Sequence, residues 1–280
     1  MNQTESRNTP NRVITLITDF GMEDPYVGMM KGVVLSAAPG TVIVDITHTI
    51  SPYAYQEALM AAVSTIPCFA AGTVHVVVVD PGVGGDRRIV GIEWPDTTVV
   101  LAPDNGIPEG VIAQLPGVCR VIEIVNPAYF RHPVHATFHG RDIFAPVAAA
   151  LATGVPLSDM GPAFSPGDLT ASLIPSVREL ASGGFEGGVQ GIDRFGNLIT
   201  TIPETLLLNI QTAGDGCCIR IGDVCIDALS DTFSSKPVGD LVAYPGSRGW
   251  LEIAVNQGRA DERLGAGIGT RVVVQRLGRV

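Results

Sequence analysis

Four consecutive valines, Val76-Val77-Val78-Val79, run directly into Asp80-Pro81-Gly82-Val83-Gly84-Gly85-Asp86-Arg87-Arg88. An unbroken β-branched run suits a strand buried on both faces, the habit of parallel sheets covered by helices. Pro81 offers no N–H and restricts the residue before it, so the strand stops there. Asp80 then stands at the carboxyl end of a buried strand and opens a glycine-rich turn, the edge at which open α/β sheets bind ligands. Arg87, seven residues on, is placed to fold back toward Asp80. Taken alone, the pair reads equally well as the brace of a tight turn or as part of a site.

The preceding chain repeats this strand–turn pattern. Residues 13–17 form an apolar run ending in Thr18-Asp19-Phe20-Gly21, and 42–46 another ending near Asp45 and His48. Between them, Asp24-Pro25 predicts an N-cap and first helical position for a helix over 26–37. Ser51-Pro52 predicts a second helix, with Glu57 in its early turns. Residues 89–93 and 98–102 read as further strands, the latter running into Pro103-Asp104-Asn105-Gly106, while 107–115 and 143–153 read as helices. This βαβαβ rhythm predicts an α/β domain over 13–160 with a mostly parallel sheet flanked by helices. Four strand ends deliver polar side chains to one edge: Asp19, Asp45 with His48, Asp80, and Asp104-Asn105.

Residues 161–186 are rich in Gly, Pro and Ser and read as a linker. Beyond them, period-2 segments at 187–192, 198–202, 217–221, 224–229, 241–244, 250–255 and 271–275 predict a smaller all-β, barrel-like domain over 187–280. Residues 1–12 read as a frayed tail.

A chain of 280 residues accommodates two such domains. Its net charge of −10 and lack of any Lys/Arg run argue against nucleic acid as a partner. The polar amino terminus carries no apolar signal-like core, and no apolar stretch reaches the ~20 residues of a membrane span. The expected location is the cytoplasm. Cys68, Cys119, Cys217, Cys218 and Cys225 show no paired metal spacing and read as reduced packing residues.

Several patterns bear on chemistry. Gly265-Ala266-Gly267-Ile268-Gly269-Thr270 nearly imitates a dinucleotide fingerprint but precedes a strand instead of opening a helix. His132, His135 and His139 have spacings that would share one helical face, yet Pro133, Val134, Thr137 and Gly140 disfavour a regular helix there. A single functional histidine, His139, fits better, and no metal is expected. Arg141-Asp142 reads as a helix start. Later, Asp193-Arg194-Phe195-Gly196-Asn197 and Ser247-Arg248-Gly249-Trp250 interrupt strand patterns. Together they would hold a zwitterion, its carboxylate on Arg248 and Ser247 and its ammonium on Asp193.

Five of these motifs occur in the order and spacing of a known family: Thr18-Asp19-Phe20-Gly21, the Asp80 turn with Arg87, Pro103-Asp104-Asn105-Gly106, Phe138-His139-Gly140-Arg141-Asp142, and Asp193 to Asn197. The chain after residue 12 resembles the adenosine-forming S-adenosylmethionine (SAM) hydrolases, or SAM hydroxide adenosyltransferases, relatives of the fluorinating and chlorinating enzymes. The resemblance implies hydrolysis of SAM to adenosine and L-methionine without a cofactor. It also implies a homotrimer with the ligand between the first domain of one subunit and the second domain of its neighbour.

The resemblance further implies a catalytic trio of Asp80, Arg87 and His139, absent from the halogenating relatives. By the same resemblance Asp19 binds the ribose hydroxyls and Tyr53 lines the sugar pocket. Phe20, Asp104 and Asn105 belong to the substrate site. Phe195 and Asn197 flank adenine, and Asp193, Ser247 and Arg248, with Glu252, hold the methionine end. Ile107-Pro108-Glu109 and Arg259 depart from the family pattern. A binding protein that holds SAM or adenosine without turnover, and a SAM-dependent halogenase, remain the alternatives.

The expected reaction is in-line attack of water on ribose C5′, expelling methionine from the sulfonium. Loss of charge at sulfur favours a dry, weakly polar pocket, with walls from Phe20, Phe138 and Phe195. An ordinary aspartate titrates near ~3.9 and water near ~15.7, a poor match for proton abstraction. Asp80 is therefore expected to orient the water, with His139 accepting the proton late.

Overall fold

The structure is a computed structural model that describes residues 13–118, 120–172, 177–181, 183–212 and 216–277. The expected tail, Cys119 and part of the expected linker lie outside the described residues. The chain divides into two units, with the boundary between Ser172 and Leu173.

The first unit runs β1 (Ile14–Thr18), α1 (Tyr26–Ala37), β2 (Ile43–Thr47), α2 (Tyr55–Thr65), β3 (Val74–Val78), β4 (Ile89–Glu93), β5 (Val99–Pro103), α3 (Ile107–Gln114), β6 (Arg120–Glu123), α4 (Ala145–Ala152) and β7 (Ala163–Phe164). Every residue of β1, β3 and β5 is buried, as unbroken apolar runs require. Helix α1 matches its expected span, but Pro25 occupies the cap position with no side-chain bond and Asp24 does not cap. Helix α2 begins at Tyr55, beyond the Ser51-Pro52 turn. Glu57 reaches back to accept bonds from the Ser51 N–H and hydroxyl at 3.0 and 3.2 Å.

The sheet order is β2-β1-β3-β5-β4-β6-β7. Strands β2, β1, β3 and β5 are parallel; β4, β6 and β7 join antiparallel, so the expectation of a mostly parallel sheet holds for one half only. The reason lies in one short connection. The Trp94 N–H bonds to the Thr98 carbonyl at 3.0 Å, closing a tight turn, and strands joined by a tight turn run antiparallel. Between sheet and helices lies a core of Leu16, Met30, Val34, Val76, Phe144 and Leu151. Each such side chain stabilises the fold by about 1.5–3 kcal/mol on full burial.

The second unit contains β8 (Arg178–Leu180), β9 (Gly184–Ile192), β10 (Leu198–Pro203), α5 (Glu204–Thr212), β11 (Gly216–Ile221), β12 (Val224–Asp227), β13 (Leu241–Pro245), β14 (Trp250–Val255), α6 (Ala260–Leu264) and β15 (Arg271–Leu277). Its antiparallel sheet runs β12-β11-β15-β9-β10-β14-β13. A bond from the Ser230 N–H to the Ala243 carbonyl, 2.8 Å long, ties the segment after β12 to β13 and nearly closes a barrel. The two helices correct the all-β expectation.

Segments read as linker are built into the units: β7 pairs with β6, and β8 with β9. Cys218 and Cys225, seven residues apart on the paired strands β11 and β12 with Cα atoms 5.9 Å apart, form a disulfide. This corrects the reading of all cysteines as reduced. A hairpin brings two thiols together without any framework visible in spacing. Cys217, facing the other way, packs in the core.

Candidate active site

Asp80 sits where the valine strand ends, and Arg87 folds back onto it. The Arg87 Nε donates to both Asp80 oxygens at 2.9 Å, and its Nη2 donates to Oδ2. The same Nη2 lies 2.8 Å from His139 Nδ1. A guanidinium is donor only, so this bond is donated to the ring and Nδ1 carries no proton. Burial, then the neighbouring Arg87 charge, push the His139 pKa down against the opposing pull of Asp80 and Asp142. His139 is thus a neutral imidazole with its proton on Nε2. Its one lone pair is engaged by Arg87, which removes the expected role of late proton acceptor from this arrangement.

Two devices bring these residues together. The Val83 N–H bonds to the Asp80 carbonyl at 3.2 Å and the Gly85 N–H to the Gly82 carbonyl at 3.0 Å, folding the turn back twice. Gly84 has φ +81°, and a Cβ there would stand 2.4 Å from the Ala136 carbonyl oxygen. Only glycine lets the turn press so closely against the histidine-bearing loop. That loop hangs on Asp142, whose carboxylate is fully buried. It accepts from Arg141 Nε and Nη2 at 2.7 and 2.8 Å, Arg131 Nη1 at 3.1 Å and the His135 N–H at 3.0 Å. Burial acts to raise the Asp142 pKa, but these bonds outweigh it and hold the value down at about 2. Gly140–Phe144 form a π-helical turn leading into α4, where the sequence predicted a helix start at 143.

The cavity beside the trio holds about 400 Å³ and is lined by Asp80, His139, Phe20, Phe138, Val78 and Val83, with Tyr26, His135 and Thr137 at its walls. Phe20, Tyr26 and Phe138 pack edge-on with centroids 5.3–6.0 Å apart. Tyr26, Thr137 and Val83 escaped the sequence reading. Tyr26 alone left a signal, as the first residue of a helix opening at the ligand edge. The three histidine rings part company: His132 Nε2 meets the Pro127 carbonyl at 2.9 Å, and only His135 and His139 reach the cavity.

The other predicted residues divide. Asp19 lies at the same edge; burial raises its pKa against a backbone hydrogen bond, with Asp80 adding to the rise. Tyr55, unnoticed in the sequence, is raised by burial and then by Asp80, Asp19 and Tyr53, so these groups share one field. Tyr53 stands exposed with φ 67°. Asp104 is not at the cavity. Its buried carboxylate accepts from Arg88 Nε at 2.9 Å and the Thr170 N–H at 2.8 Å, which also accounts for Arg88. Asn105 donates to the Val79 carbonyl at 2.8 Å and so fastens the residue before Asp80 from behind.

In the second unit a cavity of about 440 Å³ is lined by Asp193, Phe195, Asn197, Ser247, Arg248 and Glu252, together with Phe233 and Tyr244. All six predicted residues meet there. Asp193 closes its own turn, accepting from the Phe195 and Asn197 N–H groups and from Asn197 Nδ2 at 2.9–3.0 Å. Arg248 reaches Glu252 at 3.3–3.4 Å, and the Tyr244 hydroxyl donates to Glu252 at 2.9 Å. Burial and then the Glu252 charge push the Tyr244 phenol up. Arg259, the departure from the family pattern, braces this turn by donating to the Arg194 carbonyl at 3.2 Å. Ile107 and Pro108 simply begin α3.

Residues 14–161 match the SAM hydroxide adenosyltransferase N-terminal domain and residues 187–273 its C-terminal domain. The chain belongs to this family. A relative from Salinispora tropica, an (R)-S-adenosyl-L-methionine hydrolase, is 37% identical over 273 residues, covering 95% of this chain and 98% of the relative. The enzyme of that name from Thermus thermophilus is 39% identical over 264 residues, covering 91% and 96%. A fluorinase from an Actinoplanes species stands further off, at 29% over 276 residues, covering 88% and 91%. Among solved structures, an uncharacterized conserved protein from Thermotoga maritima superposes with a TM-score of 0.85 at 34% identity, covering 94% of this chain and all of the other.

Proposed function

We propose that this protein hydrolyses SAM to adenosine and L-methionine, on the sulfonium epimer carried in its relatives' name, (R)-S-adenosyl-L-methionine. The observation that carries this reading is that Asp80 and His139, joined through Arg87, face an aromatic-walled cavity. Water attacks C5′ in line, the C5′–S bond breaks, and its electron pair returns to sulfur as methionine leaves. Asp80 accepts one water hydrogen through the lone pairs that Arg87 leaves free, and the His139 Nε2–H donates to the water oxygen. Together they aim its remaining lone pair at C5′, and positioning of this kind supplies much of such a barrier reduction. The proton leaves late, from a 5′-oxygen made acidic by the new C–O bond, toward Asp80 and then solvent. The sulfonium is its own leaving group, so the reaction as written needs no cofactor.

The second unit's cavity supplies the recognition half of the reading: Arg248 and Ser247 for the methionine carboxylate, Asp193 for its ammonium, Phe195 and Asn197 for adenine. We take the active assembly to be a cytoplasmic homotrimer in which each ligand contacts the first unit of one subunit and the second unit of its neighbour. The exposed Met22, Tyr26, Met29 and Tyr53 beside the first unit's loops are apolar surface that such a neighbour would cover.

Each SAM epimer, incubated with the protein in oxygen-18 water with and without chloride and followed by mass spectrometry, tests the activity. Labelled adenosine with methionine is the expected outcome. 5′-Chloroadenosine would instead identify a halogenase, and bound but unchanged SAM a binding protein.

A further inference from the structure

Asp45 and His48, delivered by the sequence to the ligand edge, take no part in the trio. In the structure they form a relay of their own, its histidine buried and its aspartate at the surface. Strand β2 carries a bulge against β1: Leu16 pairs with Asp45 but Ile17 with Thr47, leaving Ile46 as the extra residue. Such a bulge turns a strand end and re-aims its side chains. His48, just past the strand and 3% exposed, lands with Nδ1 2.8 Å from Thr18 Oγ1. Its Nε2 stands 3.0 Å from Asp45 Oδ1, off the ideal hydrogen-bond line, and Asp45 also pairs with Lys31. Burial acts to raise the Asp45 pKa, but the bonds from Lys31 and His48 outweigh it and lower the value.

The proton order follows from chemistry. A carboxylate only accepts, so the His48 N–H faces Asp45 from Nε2, and Nδ1 accepts a hydrogen bond from the Thr18 hydroxyl, which keeps its proton. The Thr18 oxygen in turn accepts the Phe20 N–H at 3.3 Å, and the His48 carbonyl accepts the Gly21 N–H at 2.8 Å. One histidine thus fastens the loop 18–21 at both ends. An Asp–His–hydroxyl series also describes a nucleophile triad. Here the hydroxyl is fully buried and ends on backbone, so no ligand reaches it.

We infer that His48 is a positioning residue, acting through Thr18 to aim Asp19 and Phe20 at the nucleoside half of the ligand. This rests on the hydrolase reading, which assigns the ribose to Asp19; Phe20 lines the cavity directly. A merely structural histidine would affect both halves of the ligand alike, whereas a positioning one discriminates between them.

The test uses the full chain and the variants Thr18→Val, Thr18→Ser, His48→Leu and the Val/Leu double variant. Isothermal titration measures adenosine and L-methionine separately, beside steady-state turnover of SAM. Thr18→Val and His48→Leu should weaken adenosine binding and raise KM about tenfold, the loss of one buried hydrogen bond, with methionine affinity unchanged and kcat within about threefold. Thr18→Ser should restore wild-type values, and the double variant should be no worse than the worse single one, because both break one link. Equal losses for adenosine and methionine, additive effects, or a fall in kcat at constant KM would each overturn the inference. Should Thr18→Val not fold, Asp45→Asn, at a side chain 34% exposed, carries the same adenosine-only prediction at two- to threefold. Wild-type protein that binds adenosine but leaves SAM intact would sink the hydrolase reading alone.

Discussion

Around the first unit's cavity, Arg87 donates to Asp80 and His139 at 2.8–2.9 Å, with the Asp80 and Arg87 side chains 4% and 13% exposed. Around the second unit's cavity, Arg248 reaches Glu252 only at 3.3 Å with its own side chain 32% exposed. The first set is closed on itself, each charge already engaged by a neighbour. The second is loose at its arginine, whose donors still face solvent, while Asp193 and Glu252 are held at 2.9–3.0 Å by their own neighbours. The difference suits their proposed tasks. A group that aims a water must not reorganise during reaction, whereas one that receives a flexible amino acid needs donors to spare.

The comparison is most exposed at Asp142, the buried anchor of the first unit's loop. Asp142→Ala leaves two arginines without their carboxylate and should lower the unfolding free energy by about 3 kcal/mol in guanidinium titrations. The pH dependence has a definite sign. The folded value, about 2, lies below an ordinary carboxyl, so this stability is present above roughly pH 4 and is lost as pH falls through 2. Asp142→Asn should remove that acid limb. Asp80→Asn comes next: turnover should fall roughly 10²-fold with adenosine affinity nearly unchanged, and retention of full turnover would leave the trio without a catalytic role.

His75 tests burial away from the cavity in a group only half engaged, its Nε2 having no hydrogen-bond partner among the described residues. Its Nδ1 meets Thr15 Oγ1 at 2.8 Å, and burial holds its pKa at about 4. The unfolded chain takes up a proton near ~6.5 that the folded one refuses until about pH 4, so stability falls with acidification across that window. Denaturant midpoints at pH 7 and 5 should show His75→Gln losing about 2 kcal/mol less than wild type. Arg248→Ala gives the smallest effect, raising KM and weakening methionine binding about tenfold while kcat stays nearly constant. A large fall in kcat there would show the second unit's charges to be held as rigidly as those of the first.

Legibility followed the same divide. The valine strand, the Asp80 turn and α1 were readable because their signals are local: β-branched runs, proline, glycine. Of the six residues of the second unit's cavity, Asp193, Ser247 and Arg248 were readable from two interrupted strand patterns and Phe195, Asn197 and Glu252 through family likeness, and the fold gathers all of them. Asp104 misled, since a carboxylate at a strand end looks the same in sequence whether it meets a ligand or Arg88. The antiparallel half of the sheet, the Cys218–Cys225 bond and the Thr18–His48 link depend on which strands become neighbours, and no local pattern encodes that.

The π-helical turn at Gly140–Phe144 has a consequence for insertion and deletion. A π turn accommodates one residue more than the α-helical path. Deleting one residue there would let the segment close to ordinary α geometry with the chain before and after it kept nearly in phase, because the wide turn absorbs the extra residue. His139, immediately upstream, would keep its direction toward Arg87. A deletion inside α4 has no such slack: it rotates everything before it by about 100° around the helix axis and carries His139 away from Arg87. The π turn is thus the place where this helix takes up a change of length, and one turn further on the same lost residue costs the trio its geometry.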